Sequence, residues 1–210
     1  MPNMPNTRTL RQRYQRIAPF YDLLDGAFEY GRYRHIRPLL FRGLGGWILD
    51  AGVGTGRNML SYPAGSDVVG ADLSPAMLRR AERRRAASRA RVQLMEMDVI
   101  QLALADASFD AVVASFLFCT LPDASQLPAL RELARVMKPG GAIRLLDYVR
   151  PHRGTRRLLT RLWQPWVHWA YGASFDRDTE RYIPMAGLRV RRADFVVADL
   201  IRLIEIERQP

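Results

Sequence analysis

This 210-residue sequence predicts a doubly wound α/β fold, an open and mostly parallel sheet with helices on both faces. Three observations carry that prediction. The apolar run Ile48-Leu49-Asp50-Ala51 enters a turn with glycines at alternate positions, Gly52, Gly54 and Gly56, ahead of a helix. A second apolar run, Asp67-Val68-Val69-Gly70-Ala71, ends in an acid, Asp72. A third, over 111–115, runs apolar as far as Ser115, as suits a central parallel strand covered on both faces. In such a fold the ligand lies outside the carboxyl ends of the strands.

Taken in order, Thr7 can cap a helix running to about residue 18, before Pro19. Leu10, Tyr14 and Ile17 fall on one face of it, with Arg8, Arg11, Arg13 and Arg16 on the others. A basic amphipathic helix of this kind either lies on a membrane surface or packs over a site by its apolar stripe. Residues 1–40 are therefore expected to form an amino-terminal helical lid, and 41–210 one globular unit without internal repeats. After the first strand, turn and helix, the second strand leads to Ser74-Pro75, a cap followed by proline in the first helical turn. The arginines from Arg79 to Arg89 then form a solvated face. A third strand alternates over 92–97, and the fourth is the run at 111–115. An amphipathic helix over 127–137 stops at Pro139-Gly140-Gly141, and a fifth strand covers 142–146. The helix over 158–171 carries Trp163, Trp166, Trp169 and Tyr171 among arginines, which reads as an interfacial surface. Strands over 188–197 and 200–208 close the chain as an antiparallel hairpin.

The formal charge is +11, and Lys138 is the single lysine. Arginine favours planar, bidentate contact with phosphate, so an anionic partner is expected. Cys119, the one cysteine, lies in an apolar run and excludes an intrachain disulfide, which fits a reducing cytoplasm. The longest apolar stretch, 111–121, is too short to span a bilayer. The expectation is a cytoplasmic protein, peripheral on the inner membrane surface.

The glycine turn identifies the ligand class. Dinucleotide sites use G-x-G-x-x-G, but here the spacing is G-x-G-x-G and Arg57 stands at the third glycine position. Asp50 at the strand end would repel a pyrophosphate and suits a cationic amine. Asp72 falls at roughly the ~20-residue interval at which an acid meets a ribose diol. An acid for an amine, glycines for close approach and an acid for a ribose describe S-adenosylmethionine (SAM).

Leu49-Asp50-Ala51-Gly52-Val53-Gly54-Thr55-Gly56 resembles motif I of the class I SAM-dependent methyltransferases. Asp72-Leu73-Ser74-Pro75-Ala76-Met77 is similar to the segment after their second strand, Met97-Asp98-Val99 to their adenine-edge motif, and Met137-Lys138-Pro139-Gly140-Gly141 to the turn before strand five. The resemblance implies a seven-stranded Rossmann-like sheet, with Asn58 and Ser115 joining Gly52, Gly54, Gly56, Leu73, Met77, Met97, Asp98 and Val99 around the cofactor. It also implies that the aromatic-rich stretch before the first strand closes over SAM, with Tyr21 and Tyr33 in contact and Tyr33 at the carboxylate. No metal is expected. The Asp/Asn-Pro-Pro-Tyr segment of base-modifying members is absent; Ser115-Phe116-Leu117-Phe118 stands there, so no nucleic acid is expected.

Ile17-Ala18-Pro19-Phe20-Tyr21-Asp22, Phe28-Glu29-Tyr30-Gly31-Arg32-Tyr33-Arg34 and Trp163-Gln164-Pro165-Trp166 are similar to segments of the Rhodobacter-type bacterial phospholipid N-methyltransferases. That resemblance implies methylation of phosphatidylethanolamine to phosphatidylcholine at a membrane surface. Arg150 and His152 would then meet the lipid phosphate, and Tyr21, Tyr148 and Trp166 the methylated ammonium through cation–π contact. Tyr21, Glu29 and Tyr148 are the catalytic candidates, with Glu29, Tyr148 or the lipid's own phosphate accepting the amine proton. The alternative is a ubiquinone/menaquinone-type C-methyltransferase or another small-molecule enzyme, because the quinone C-methyltransferases share the Phe20-Tyr21-Asp22 segment.

Overall fold

A strand buried on both faces needs apolar side chains at every position, and a computed structural model of the chain shows where that demand falls. It describes residues 12, 14–16, 31, 33–150, 154–175 and 177–209, apart from the side chains of 155–157, 159 and 168–171. Seven strands form one sheet: β1 (Trp47–Ala51), β2 (Asp67–Asp72), β3 (Arg91–Glu96), β4 (Phe109–Ser115), β5 (Met137–Tyr148), β6 (Leu188–Val197) and β7 (Ile201–Arg208). Their order is β3-β2-β1-β4-β5-β7-β6, parallel from β3 to β5 and antiparallel where β7 joins β5 and β6. This is the doubly wound, Rossmann-like methyltransferase sheet with a closing hairpin that the sequence predicts.

The strand order reverses between β1 and β4, so the connections leave their carboxyl ends in opposite directions and open a crevice there. Alternation along β1 supplies both sides of the sheet. Ile48 packs with Val68, Ala111 and Val113 against α1 (Arg34–Phe41), while Leu49 packs with Val69, Val112 and Ala114 toward α3 (Asp123–Val136). The two other helices described along their length are α2 (Pro75–Arg85) and α4 (Gly154–Tyr171). Helix α1 crosses the expected boundary at residue 40 and buries Leu40 and Phe41 in the core.

Three elements differ from expectation. The segment after the glycine turn is a five-residue 3-10 helix, Arg57–Ser61, because Pro63 and Gly65 cut the helix short. β5 begins at Met137, five residues early. Its register on β4 jumps from Phe109↔Met137 to Ala111↔Ala142, so Lys138 to Gly141 bulge out of the ladder, where Pro139 needs no N–H partner. Helix α3 starts at Asp123, whose carboxylate suits the positive end of the helix. The expected cap of α2 is present: Ser74 Oγ accepts from Met77 N at 3.4 Å.

Candidate active site

The crevice over β1, β2 and β4 is a cleft open to solvent. Gly52, Gly54, Asp72, Leu73, Met77, Met97, Asp98, Val99 and Ser115 line it, all of them cofactor residues expected from the sequence. Ile100, Phe116, Leu117, Thr120, Leu121 and Ser125 complete the wall, with Tyr14 from the amino-terminal helix.

Two of the motif's glycines do different work. Gly54 has φ +55°, and a Cβ there would stand in open space, with nothing nearer than Gly52 O at 3.9 Å. Only a residue without a side chain leaves this stretch of cleft wall bare for a ligand. Gly56, at φ +82°, faces away from the cleft; its Cβ would lie 2.9 Å from Met59 Cε and 3.0 Å from Ala81 Cα. That glycine serves the close packing of turn on helix.

Asp72 ends β2 with its carboxylate fixed by two backbone donors, Gly54 N at 2.9 Å and Ser74 N at 2.8 Å. Burial outweighs those bonds and pushes its pKa up to about 6. Asp98 accepts from Ile100 N at 3.2 Å and is likewise raised by burial.

Asp50 is fully buried behind the glycine turn, not on the cleft wall. Asn58 Nδ2 donates to both its oxygens, at 3.2 and 3.0 Å, and Tyr62 Oη donates at 2.6 Å. Arg37 supplies the opposite charge at one remove: its Nη1 donates to Asn58 Oδ1 at 2.8 Å and to Ser115 Oγ at 3.3 Å. Burial raises the Asp50 carboxyl to about 6 against the lowering effect of Tyr62, Asn58 and Arg37. Asp50, Asn58 and Gly56 thus shape the turn from behind.

Beside the cleft stands an aromatic cluster that the sequence did not reveal. Phe116 sits at φ +53°, a left-handed conformation rare for a bulky residue and typical of constrained sites. Its ring lies 4.9 Å from Tyr33 and 5.3 Å from Tyr148, with the Arg37 guanidinium 5.5 Å from its centroid. Phe175 packs edge-on to Tyr148 at 5.0 Å. Tyr33 and Tyr148 meet hydroxyl to hydroxyl. Below them Asp147 accepts from Cys119 N at 3.0 Å and from Tyr148 N at 2.7 Å, and burial lifts its carboxyl to about 6. Cys119 is buried, as expected.

Among the remaining candidates, Tyr21, Glu29 and His152 lie outside the described residues, as does most of the expected lid. Arg150 is exposed just past β5, and Trp166 lies on α4 against Trp163, outside the cleft wall. No cluster of metal-ligating side chains occurs among the described residues.

The bare turn at Gly54, the fixed carboxylate of Asp72 and the apolar strip of Leu73, Met97, Val99 and Ile100 fit a nucleoside with a flat base. The family model for a methyltransferase domain matches residues 48–141, the part of the chain that builds this cleft. The sequence is 36% identical over 157 residues to the demethylmenaquinone methyltransferase of Thermus thermophilus, covering 71% of this chain and 70% of that protein. The chain belongs to the class I SAM-dependent methyltransferases. It is also 34% identical over 186 residues to the ubiquinone/menaquinone biosynthesis C-methyltransferase UbiE of Syntrophotalea carbinolica, covering 83% and 76%. The methyltransferase shares its fold with the [4+2]-cyclase SpnF, at a TM-score of 0.74 and 17% identity over 98% and 97% of the two chains.

SAM is the cofactor. These relatives overturn the expectation of a phospholipid N-methyltransferase, because at 34–36% identity they carry quinone methylation in their names. The physical reason for the error lies in what carried it. Arg150 and Trp166 stand outside the cleft wall, and arginines beside tryptophans say nothing of which group receives the methyl.

Proposed function

We propose that this methyltransferase transfers a methyl group to a ring carbon of a demethylated quinol. The observation that carries the reading is the identity to quinone methyltransferases over more than two thirds of each chain. The aromatic cluster agrees with it. A planar quinol ring suits a wall built from Phe116, Tyr33 and Tyr148, since offset and edge-on ring contacts are worth roughly 0.5–1.5 kcal/mol each beyond burial.

Bound SAM supplies an electrophilic methyl on a positively charged sulfur. The rest is alignment, the effect that in-line displacement depends on most. Gly54 leaves the cleft wall bare, and Asp72, whose two oxygens each accept from a backbone N–H, would hold the nucleoside end. The acceptor carbon becomes nucleophilic when a quinol hydroxyl ionises, and the same carbon releases its proton after the new carbon–carbon bond forms. The paired Tyr33 and Tyr148 hydroxyls supply polar atoms within an otherwise apolar cluster, suited to orienting a quinol oxygen. Phe116 joins that cluster to the cleft, because its ring belongs to both.

The test sets two acceptors side by side under reducing conditions, with radiolabelled SAM. One is a water-soluble demethylated naphthoquinol, the other phosphatidylethanolamine vesicles. The expected outcome is label in the quinol and none in the lipid. Label in the lipid alone, or in neither acceptor despite SAM binding, would refute the reading.

A further inference from the structure

Helix α4 turns an apolar stripe to water. Leu158, Leu162, Trp163 and Trp166 are 61, 69, 53 and 37% exposed, at a spacing that puts them on one face. The two tryptophan rings meet edge-on at 6.0 Å. A contiguous exposed apolar patch of this kind marks an interaction surface. Its charge says what kind. From residue 148 to residue 175 the sequence has arginines at 150, 153, 156, 157 and 161 and not one acid, within a chain of net charge +11.

That combination selects among occupants. A second copy of this chain laid on the stripe would set arginines against arginines. A nucleic acid would satisfy the arginines and leave Leu158 and Leu162 in water. The boundary between phosphate headgroups and acyl chains suits both, taking the exposed leucines and tryptophans at the acyl chains and the exposed Arg161 at the phosphates. Helix α4 would lie in the plane of that boundary, since no described helix is long and apolar enough to cross a membrane.

We propose that α4 docks the methyltransferase on an anionic phospholipid bilayer through Leu158, Leu162, Trp163 and Trp166. The helix is also coupled to the site. Gln164 Nε2 donates to Ala173 O at 3.2 Å, and Gln164 Oε1 accepts from Phe175 N at 3.1 Å. Phe175 in turn packs on Tyr148. One glutamine therefore joins the docking helix to the segment that completes the aromatic cluster, and places that cluster beside the bilayer.

The experiment is sedimentation of the full chain with vesicles of phosphatidylcholine with and without phosphatidylglycerol. The test variant combines Leu158→Ser, Leu162→Ser and Trp163→Ser, exposed positions whose change should leave SAM binding and thermal stability intact. Wild type is expected to partition onto the anionic vesicles and to leave them as salt rises. The triple variant should lose about tenfold or more in partition coefficient, and Arg161→Gln about fivefold. Three outcomes overturn the proposal: no binding by wild type, equal binding by the triple variant, or a triple variant that changes oligomeric state while binding vesicles as before. Methyl transfer to a water-soluble quinol is read in parallel and should be unchanged in the triple variant. Vesicle binding thus reports on the surface and soluble-quinol turnover on the site, so the two proposals fail separately.

Discussion

Replacing Tyr62 by Phe isolates the buried charge behind the glycine turn. The ring stays, edge-on to Phe41 at 5.2 Å, and only the hydroxyl that donates to Asp50 at 2.6 Å is lost. A hydrogen bond to a charged group contributes about 1.5–3 kcal/mol net, and a neutral one about 1 kcal/mol. Asp50 titrates at about 6, so it is ionised at pH 8 and protonated at pH 5. The variant should therefore lose about 2 kcal/mol at pH 8, a fall of roughly 4–8 °C in Tm for a chain of this size, and about 1 kcal/mol at pH 5. The sign follows from linkage. A carboxyl raised above its unfolded value contributes most stability when protonated in the fold, and that contribution is lost as pH rises through the folded value. Losing the Tyr62 donor raises the folded value further, so the extra cost emerges between about pH 6 and 7. Urea unfolding at both pH values reads the difference. An equal loss at the two, or a loss below about 0.5 kcal/mol at pH 8, would refute the argument that Tyr62 supports an ionised Asp50.

Gly54→Ala should weaken SAM binding by tenfold or more in a calorimetric titration, at about 1–2 kcal/mol of left-handed strain in stability. Gly56→Ala should show the reverse balance, a stability loss of about 2–4 kcal/mol from strain and the contacts with Met59 and Ala81, with a smaller effect on affinity in the folded fraction. Cofactor affinity should fall as pH drops through about 6, by up to about tenfold per pH unit, because protonated Asp72 accepts a ribose hydroxyl poorly. Asp72→Asn should flatten that profile at a lower affinity. Phe116→Ala should raise the quinol KM by about tenfold while the SAM Kd changes less, read from steady-state kinetics beside titration.

The architecture was legible because its signals are local. An apolar run, a glycine turn and an acid at the next strand end fix where β1 and β2 stand, and proline after serine fixes the start of α2. The wall of the cleft followed from the same stretches, since Gly52, Gly54, Asp72, Leu73, Met97, Asp98 and Val99 all line it. Asp50 was harder. A carboxylate at a strand end reads the same in sequence whether it meets a ligand or Asn58 and Tyr62, and only packing separates the two. Arg37 carries no local signal, because its partners Asn58 and Ser115 are 21 and 78 residues away. The aromatic cluster gathers Tyr33, Phe116, Tyr148 and Phe175 from four distant segments. Of the described residues expected to meet the substrate, Tyr148 alone belongs to that cluster, while Arg150 lies just past β5 and Trp166 on α4, both outside the cleft wall.

The central claim is methyl transfer to a quinol carbon, and the atom that receives the methyl tests it directly. The protein would be incubated with SAM carrying a carbon-13 methyl and a reduced demethylated naphthoquinone, and the product examined by carbon-13 NMR. The account expects the enriched methyl at a ring carbon, with the ring proton at that position gone. An enriched methoxy group, or no enriched product from a protein that binds SAM, would contradict it.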